Sequence, residues 1–199
     1  MSAGVRLDRE RVVEAAAALM DERGTESFTL AALAARLGIR SQSIYAHVAG
    51  LDQLRRALAL LALEDLGRRL GRAAMGRSGR EALHALAHAH AAFAAERPGL
   101  YACSLRSPEG DQELARRIDE VSDPWYAVLA SFGLGPSAVA HYHRVLWAAI
   151  HGFVTLRRQG LMTRDAHPDR SFRLMIDVFS DSLDADGSAI DREDIRPIG

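Results

Sequence analysis

The sequence predicts an all-α protein, and three observations support this prediction. Apolar residues recur at intervals of three and four along most of the 199 residues, as they do on one face of a helix. Alanine is abundant and all 25 basic residues are arginine, and both residue types favour helices. The prolines lie where we expect them to separate those helices. They are Pro98, Pro108, Pro124, Pro136, Pro168 and Pro197.

The composition excludes several classes of protein. A net charge of −1 does not fit a chain that coats nucleic acid along its whole length. The single cysteine, Cys103, excludes an internal disulfide framework, and we expect it to be a small buried hydrophobe. No apolar run approaches the roughly 20 residues of a membrane span, and residues 1–10 lack the apolar core of a signal peptide. We therefore expect a cytoplasmic protein.

Four helices are predicted in the first 70 residues, with glycines between them. They cover residues 8–23, 30–37, 41–48 and 51–70. Thr29 precedes the second helix as a typical N-cap residue. A short helix, a tight glycine turn and another short helix form the helix-turn-helix pattern, here over residues 29–48. The spacing alone is equally compatible with three packed helices that bind no ligand.

The distribution of charge favours a DNA-binding role for this segment. Residues 23–63 contain five arginines and two acidic residues, whereas residues 73–199 contain 14 arginines and 17 acidic residues. The positive potential is therefore local to the part of the chain where a phosphate backbone would need it. Ile44 and Val48 are spaced to pack inward, which leaves polar side chains of residues 41–47 exposed to base edges and phosphates.

The same segment resembles a known family. The specific run within residues 9–54 is Phe28-Thr29, Leu33-Ala34, Leu37-Gly38-Ile39, Ile44-Tyr45, His47-Val48, Asp52 and Leu54. In this order and at this spacing it resembles the DNA-binding segment of the TetR/AcrR family of transcriptional regulators. The resemblance implies that residues 41–48 form the recognition helix. It also implies a set of DNA-contacting residues, which are Thr29, Arg40, Ser41, Gln42, Ser43, Tyr45 and His47.

Two residues depart from the family pattern. Leu51 stands where many members have a lysine, and Ala31 stands where some have an arginine. Both of those contacts with DNA are then absent, so we expect affinity to depend more on Arg36 and Arg40, with Arg55 or Arg56 as a partial substitute. The departures leave open a second function, that of a helical ligand-binding protein with weak or lost DNA affinity.

Five further helices are predicted after residue 79. They cover residues 80–97, 99–107, 112–131, 136–160 and 169–183. The last one has too many apolar residues for a single inward stripe, so we expect a second copy of the chain to cover the surplus face. The resemblance also implies a homodimer formed by the last two helices. Core packing within one subunit is the alternative.

A small-molecule pocket is predicted among aromatic residues of these helices. Residues 147–153 contain a Trp-x-x-x-His-Gly sequence, which resembles the WHG motif of one regulatory-domain subgroup of the same family. Aromatic rings with a few polar groups are typical of effector pockets and equally typical of a helical core. The candidate pocket residues are Phe93, Tyr101, Trp125, Trp147 and His151.

A metal-dependent helical enzyme is a further alternative. His84 and His88 are four residues apart on a predicted helix, so both rings could bind one metal ion. The glutamate of an HExxH motif is missing, and the sequence has no phosphate-binding glycine loop, no nucleophile elbow and no CxxC pair. We therefore expect no metal, no cofactor and no catalytic residue.

Together these observations predict two domains and a tail. Residues 6–66 form the helix-turn-helix DNA-binding domain, residues 73–185 form the helical regulatory and dimerisation domain, and residues 186–199 form a flexible tail. The predicted function is that of a ligand-responsive DNA-binding regulator, a homodimeric repressor of a palindromic operator that a small-molecule effector releases. The predicted helix 51–70 is the expected lever between the two domains.

Overall fold

The computed structural model describes residues 7–25, 27–163 and 167–185, and their regular structure consists of nine helices without strands. The helices are α1 Arg9–Arg23, α2 Leu30–Leu37, α3 Ser41–Ile44, α4 Leu51–Ala74, α5 Gly79–Glu96, α6 Pro98–Ser104, α7 Gln112–Ala130, α8 Pro136–Arg158 and α9 Pro168–Ala185. The predicted all-α fold is confirmed. The predicted tail, 186–199, lies outside the described residues, as does residue 6. Within the described ranges, no helix is long and apolar enough to cross a bilayer.

Two sequence expectations about helix ends are wrong. The third helix ends at Ile44 instead of Val48, because the backbone N–H of Ala46 donates to the carbonyl three residues back, at 3.3 Å, and that of His47 does the same at 2.9 Å. This pattern is a tighter winding than the α-helix. Pro124 lies inside α7, as the predicted helix 112–131 requires, so the expectation that this proline separates helices is wrong, although a proline nitrogen cannot donate to the carbonyl four residues back.

Side-chain caps and a left-handed glycine set the bounds of the first two helices. The Asp8 carboxylate accepts a hydrogen bond from the backbone N–H of Arg11 at 2.9 Å, where α1 begins. The Thr29 hydroxyl accepts one from the N–H of Ala32 at 3.1 Å, where α2 begins. Gly38 ends α2 with φ of +67°, a conformation that glycine adopts without strain. These bounds agree with the predicted helix-turn-helix.

The first compact unit combines the described residues up to 67 with residues 93–120. In it α1 packs against α2 and α6, and α2 packs against α3. Its core is apolar and includes Val12, Met20, Leu33, Ile44, Leu54, Leu58 and Leu100, all 1% exposed or less. The predicted DNA-binding domain is a continuous segment that ends at residue 66. The compact unit is defined by contacts between residues instead, and it also includes α6. The predicted domain limits therefore remain a prediction.

Ion pairs in the first unit join α4 to the chain around residue 110. The Arg56 guanidinium donates to the carboxylates of Asp111 at 2.5 Å and of Glu113 at 2.7 Å. Arg106 pairs with Asp52 at 2.9 Å near the start of α4. Hydrogen bonds from Arg56 and from the backbone N–H of Leu114 lower the pKa of Asp111 to about 2. The Asp111 carboxylate is therefore ionised and paired at neutral pH.

The second compact unit combines residues 68–92 with the described residues from 121 to 185. Here α8 packs against α9, with Phe153 and Phe172 edge to face at 5.0 Å between ring centroids. The hydroxyls of Tyr142 and Ser182 join the same two helices at 2.8 Å. Arg80 of α5 pairs with three carboxylates of α9, those of Asp177, Asp181 and Asp184. These contacts fix which faces of α8 and α9 remain exposed.

Replacing Ile44 with alanine should destabilise the protein strongly, because Ile44 is fully buried and carries most of the apolar contact of α3. We expect a loss of about 2–5 kcal/mol in the free energy of unfolding, measured by urea denaturation. Ser43→Ala, at the exposed neighbouring position, should change it by less than about 0.5 kcal/mol. Equal stability of the two variants would show that Ile44 does not anchor α3.

The Asp111–Arg56 ion pair should make stability depend on pH in the acid range. Because the pKa of Asp111 is lowered in the folded state to about 2, its contribution is present above the ordinary carboxyl pKa and is lost as the pH falls through the folded value. Asp111→Asn should therefore be less stable than wild type at pH 7 in urea denaturation. The difference in free energy of unfolding between the two proteins should narrow as the pH falls from about 4 towards 2.

A control for this pH dependence is Glu109→Gln, a change at an exposed carboxylate two residues away. The difference in free energy of unfolding between Glu109→Gln and the wild type should stay nearly constant over the same pH range. A difference for Asp111→Asn that does not depend on pH would contradict the proposed contribution of the ion pair.

Candidate nucleic-acid interface

The segment that contains α3 presents a polar face to solvent. Ile44 and Val48 are 0% and 4% exposed, so the two apolar anchors predicted from the sequence do pack inward. The side chains between and before them point away from the core, and Tyr45 is 58% exposed. The other exposed members of the predicted DNA-contacting set are Thr29, Arg40, Ser41, Gln42 and Ser43, while His47 is half-buried. Their contact with DNA itself stays a prediction.

The start of each short helix offers hydrogen-bond donors on this face. Arg40 is the N-cap residue of α3 with extended backbone, and its side chain makes no capping bond. The first N–H groups of any helix have no partner within it and suit a phosphate oxygen. At α2 the Thr29 oxygen accepts from Ala32, which leaves the hydroxyl hydrogen able to donate to a phosphate.

The arginines near this face differ in whether their guanidinium groups are available to bind a phosphate. Arg36 donates two hydrogen bonds to Glu22, at 2.7 and 2.8 Å, and the bond from Arg36 lowers the pKa of Glu22. Arg56 is held by the two carboxylates described above. In the described part of the chain, Arg40 and Arg55 are exposed and form no ion pair. Of the substitutes expected from the sequence, Arg40 and Arg55 therefore fit better than Arg36 and Arg56.

The predicted pocket residues fall into different units. Phe93 and Tyr101 are buried in the first unit, with ring centroids 6.2 Å apart and nearly perpendicular planes. Trp125 is buried in the second unit, 4% exposed. In the same unit, Trp147 is 44% exposed and stacks on His151 at 5.8 Å between ring centroids. Their role in an effector pocket stays a prediction.

The second unit contains a buried histidine that sequence analysis did not single out. His90 of α5 is 3% exposed and lies 6.3 Å from Trp125 between ring centroids. Burial, followed by the charges of His151 and His143, lowers the pKa of His90 to about 4. Burial also lowers the pKa of His143, followed by the charge of Arg144. These two imidazoles are neutral at pH 7, a state in which one ring nitrogen donates and the other accepts.

The histidine pair considered for a metal has other partners. His84 Nε2 lies 3.0 Å from an Asp177 oxygen of α9, and His88 packs edge-on against Phe172 at 5.2 Å between ring centroids. Within residues 7–25, 27–163 and 167–185, no group of three or more histidine, cysteine or acidic residues is placed to hold a metal ion. Both side chains contribute to the packing of α5 against α9.

Family models and relatives agree with this geometry. The model described as "Bacterial regulatory proteins, tetR family" matches residues 12–58, which include the polar face of α3. The model described as "Tetracyclin repressor-like, C-terminal domain" matches residues 83–179. The WHG subgroup suggested by residues 147–153 stays a prediction.

Two curated proteins and one solved structure illustrate the similarity. The HTH-type transcriptional regulator Rv0681 of Mycobacterium tuberculosis is 35% identical over 173 residues, which cover 86% of this chain and 79% of that protein. YobS of Bacillus subtilis, also an HTH-type transcriptional regulator, is 30% identical over 188 residues, with 92% and 96% coverage. A TetR variant from Acinetobacter baumannii in complex with minocycline has the same fold, with a TM-score of 0.70, 21% identity and 92% and 100% coverage.

These findings establish the family. The two models together match most of the chain, and the relative at 35% identity matches along most of both proteins. The exposed polar face over a buried Ile44 is the feature that such a regulator needs in order to read DNA. The chain therefore belongs to the TetR family of ligand-responsive, DNA-binding transcriptional regulators.

Proposed function

We propose that the chain acts in the cytoplasm as a homodimeric repressor that binds a palindromic operator and is released by a small-molecule effector. The observation that carries the proposal is the exposure of four side chains around the buried Ile44, those of Ser41, Gln42, Ser43 and Tyr45. Such a face can enter a major groove about 12 Å wide, because its residues are small or slender. The proposal assigns no catalytic role to the chain.

Each side chain of this face suits a particular contact. The Gln42 amide can donate and accept on one adenine edge, which discriminates among bases. The hydroxyls of Ser41 and Ser43 can bond either bases or phosphates, and the Tyr45 hydroxyl suits a phosphate, which positions the helix without reading sequence. With leucine at position 51 and alanine at 31, cationic contacts would come chiefly from Arg40 and Arg55.

The outer faces of α8 and α9 support the homodimer. Large apolar side chains are exposed on both helices, with Val145 at 52% and Leu156 at 45% on α8, and Leu174 at 62% and Val178 at 59% on α9. An apolar face of this kind is typical of a surface that a partner covers. A two-fold dimer would pair the same patch of each copy and place two recognition segments on one duplex.

Effector release follows from the spacing of those two segments. Successive major grooves on one side of a duplex lie about 34–36 Å apart. An effector that prefers a different spacing weakens operator binding, by typically ~1–3 kcal/mol of coupling. The TetR variant bound to minocycline supports a small organic molecule as the class of effector. A protein that binds an effector but has lost its DNA affinity remains the second candidate, because Leu51 and Ala31 remove two family contacts.

Substitutions on the polar face should distinguish contacts with phosphates, which position the helix, from contacts with bases, which read the sequence. The DNA is a duplex selected by the wild type from a random pool, together with a scrambled duplex of equal length. Tyr45→Ala should weaken binding to both duplexes alike, because a phosphate contact is independent of sequence. Gln42→Ala should lose ~1–3 kcal/mol on the selected duplex only. Fluorescence anisotropy titrations at fixed salt measure both effects.

Matched controls for these two variants are Tyr126→Ala and Gln159→Ala, which truncate exposed residues of the second unit. Both controls should bind DNA like the wild type. If Tyr45→Ala and Gln42→Ala also bind like the wild type, α3 is not the recognition segment. If the wild type selects no duplex from the pool, the second candidate function is favoured.

A charge on the outer face of α9 should abolish the homodimer. The wild type should have twice the 21.7 kDa chain mass at micromolar concentration, measured by light scattering after size-exclusion chromatography. Val178→Asp should be a monomer, because an unpaired carboxylate would be buried in the interface. Leu161→Asp is the control, since Leu161 is equally exposed, at 61%, but follows the end of α8. A monomeric wild type would contradict the proposed homodimer.

A further inference from the structure

One carboxylate of α1 holds the beginning of α6 in the first unit. Oδ1 of Asp21 accepts hydrogen bonds from the backbone N–H groups of Gly99, at 2.9 Å, and Leu100, at 3.0 Å. Oδ2 of the same residue accepts from Nε of Arg97 at 2.5 Å. We call these three hydrogen bonds the Asp21 clamp. A side chain of one helix thus serves as the N-terminal cap of another.

The two helices touch through their backbones at the same place. A Cβ atom added to Gly99 would lie 2.3 Å from the carbonyl carbon of Met20 and 2.6 Å from the backbone nitrogen of Asp21. Real Cβ atoms essentially never approach backbone this closely, so only glycine fits here. By contrast, a Cβ added to Gly71 in α4 would meet no such atom within 4 Å. The position of α6 on α1 is therefore closely defined.

The clamp lies in partly buried surroundings, which strengthens it. The Asp21 side chain is 15% exposed and that of Arg97 is 33% exposed, while Leu100 is fully buried. Hydrogen bonds to an ionised group are roughly twice as strong as those between neutral groups. Arg97 also lies 3.9 Å from a carboxylate oxygen of Asp65 in α4. The beginning of α6 is therefore attached to α1 by charge as well as by shape.

The order of the chain gives this attachment a role beyond packing. Residues 79–92 of α5 belong to the second unit and residues 93–96 to the first, and only Arg97 separates α5 from α6. On the other side of the clamp, α1 packs against α2 of the helix-turn-helix. The clamp therefore connects the end of α5, a helix that begins in the second unit, with the helices that present the polar face of α3.

We propose that Asp21 is a positioning residue for DNA binding, through which the state of the DNA-binding helices and the state of the α5–α6 junction are coupled. This inference rests on the proposed function, because it presupposes that the chain binds DNA. Coupling between two sites acts equally in both directions. DNA binding at α3 must then change the behaviour of α6, and no effector is needed to detect the change.

Hydrogen exchange followed by mass spectrometry can detect this coupling in the full chain, with and without the duplex that the wild type selects. In the wild type, DNA should slow exchange in residues 29–48 and also in residues 97–103, the latter by roughly fivefold or more, the lower end of typical coupling between sites. In Asp21→Ala, DNA should still slow exchange in residues 29–48 but leave residues 97–103 unchanged. Asp21→Asn should recover part of the response, because its amide oxygen can still accept from Gly99 and Leu100.

A merely structural role of Asp21 predicts a different result. Asp8→Ala is the matched control, because Asp8 also caps a helix with its carboxylate, but within its own helix. Both alanine variants should lower the melting temperature, whereas only Asp21→Ala should abolish the response of residues 97–103 to DNA. If Asp21→Ala does not fold, Asp21→Asn and Gly99→Ala replace it, with Gly71→Ala as the control for a glycine that has room for a methyl group.

Three outcomes would overturn the inference. A wild type in which DNA slows exchange only in residues 29–48 would show that α6 is not coupled. An Asp21→Ala variant that responds like the wild type would show that the clamp does not carry the coupling. A wild type that binds no duplex would overturn the proposed function and this inference together, whereas the first two outcomes leave DNA binding intact.

Discussion

The burial of Ile44 determines the properties of the recognition segment. A helix of four residues is too short to be stable alone, because nucleation fixes several dihedral angles for a single hydrogen bond. Its orientation therefore comes from packing, with Ile44 at 0% and Val48 at 4% exposure. Once these two side chains face the core, the residues between and before them must face solvent. The polar surface is thus a consequence of two apolar contacts.

Features with a local cause could be predicted from the sequence. The bounds of α2 follow from the Thr29 cap and the left-handed Gly38, which act within one turn of the helix. The end of α3 could not be predicted, because side chains four residues apart share a face both in an α-helix and in the tighter turns that follow Ile44. The expectation that Pro124 separates two helices is likewise wrong: α7 continues through it, and the next residue, Trp125, is buried.

The electrostatics of the site could be predicted only in part, because the partners are distant in sequence. Arg36 pairs with a carboxylate 14 residues away and Arg56 with one 55 residues away. Counting charges within residues 23–63 could not include Asp111 or Glu113, so the positive surplus was overestimated. Part of the acidic excess of the later chain neutralises Arg56 of α4. Fewer cations therefore remain for phosphates than the charge count predicts.

The DNA-binding helices share a compact unit with α6, and this changes how their control must be understood. Their core extends to α6, whose Leu100 is fully buried and whose Gly99 admits no side chain against α1. A contiguous domain that ended at residue 66 would lack these contacts and would expose the apolar residues of α1 that α6 covers. A displacement of α6 is therefore already a change within the DNA-binding unit. DNA binding can therefore be controlled through the hydrogen bonds of 2.9 and 3.0 Å between α6 and Asp21, in addition to the expected lever, α4.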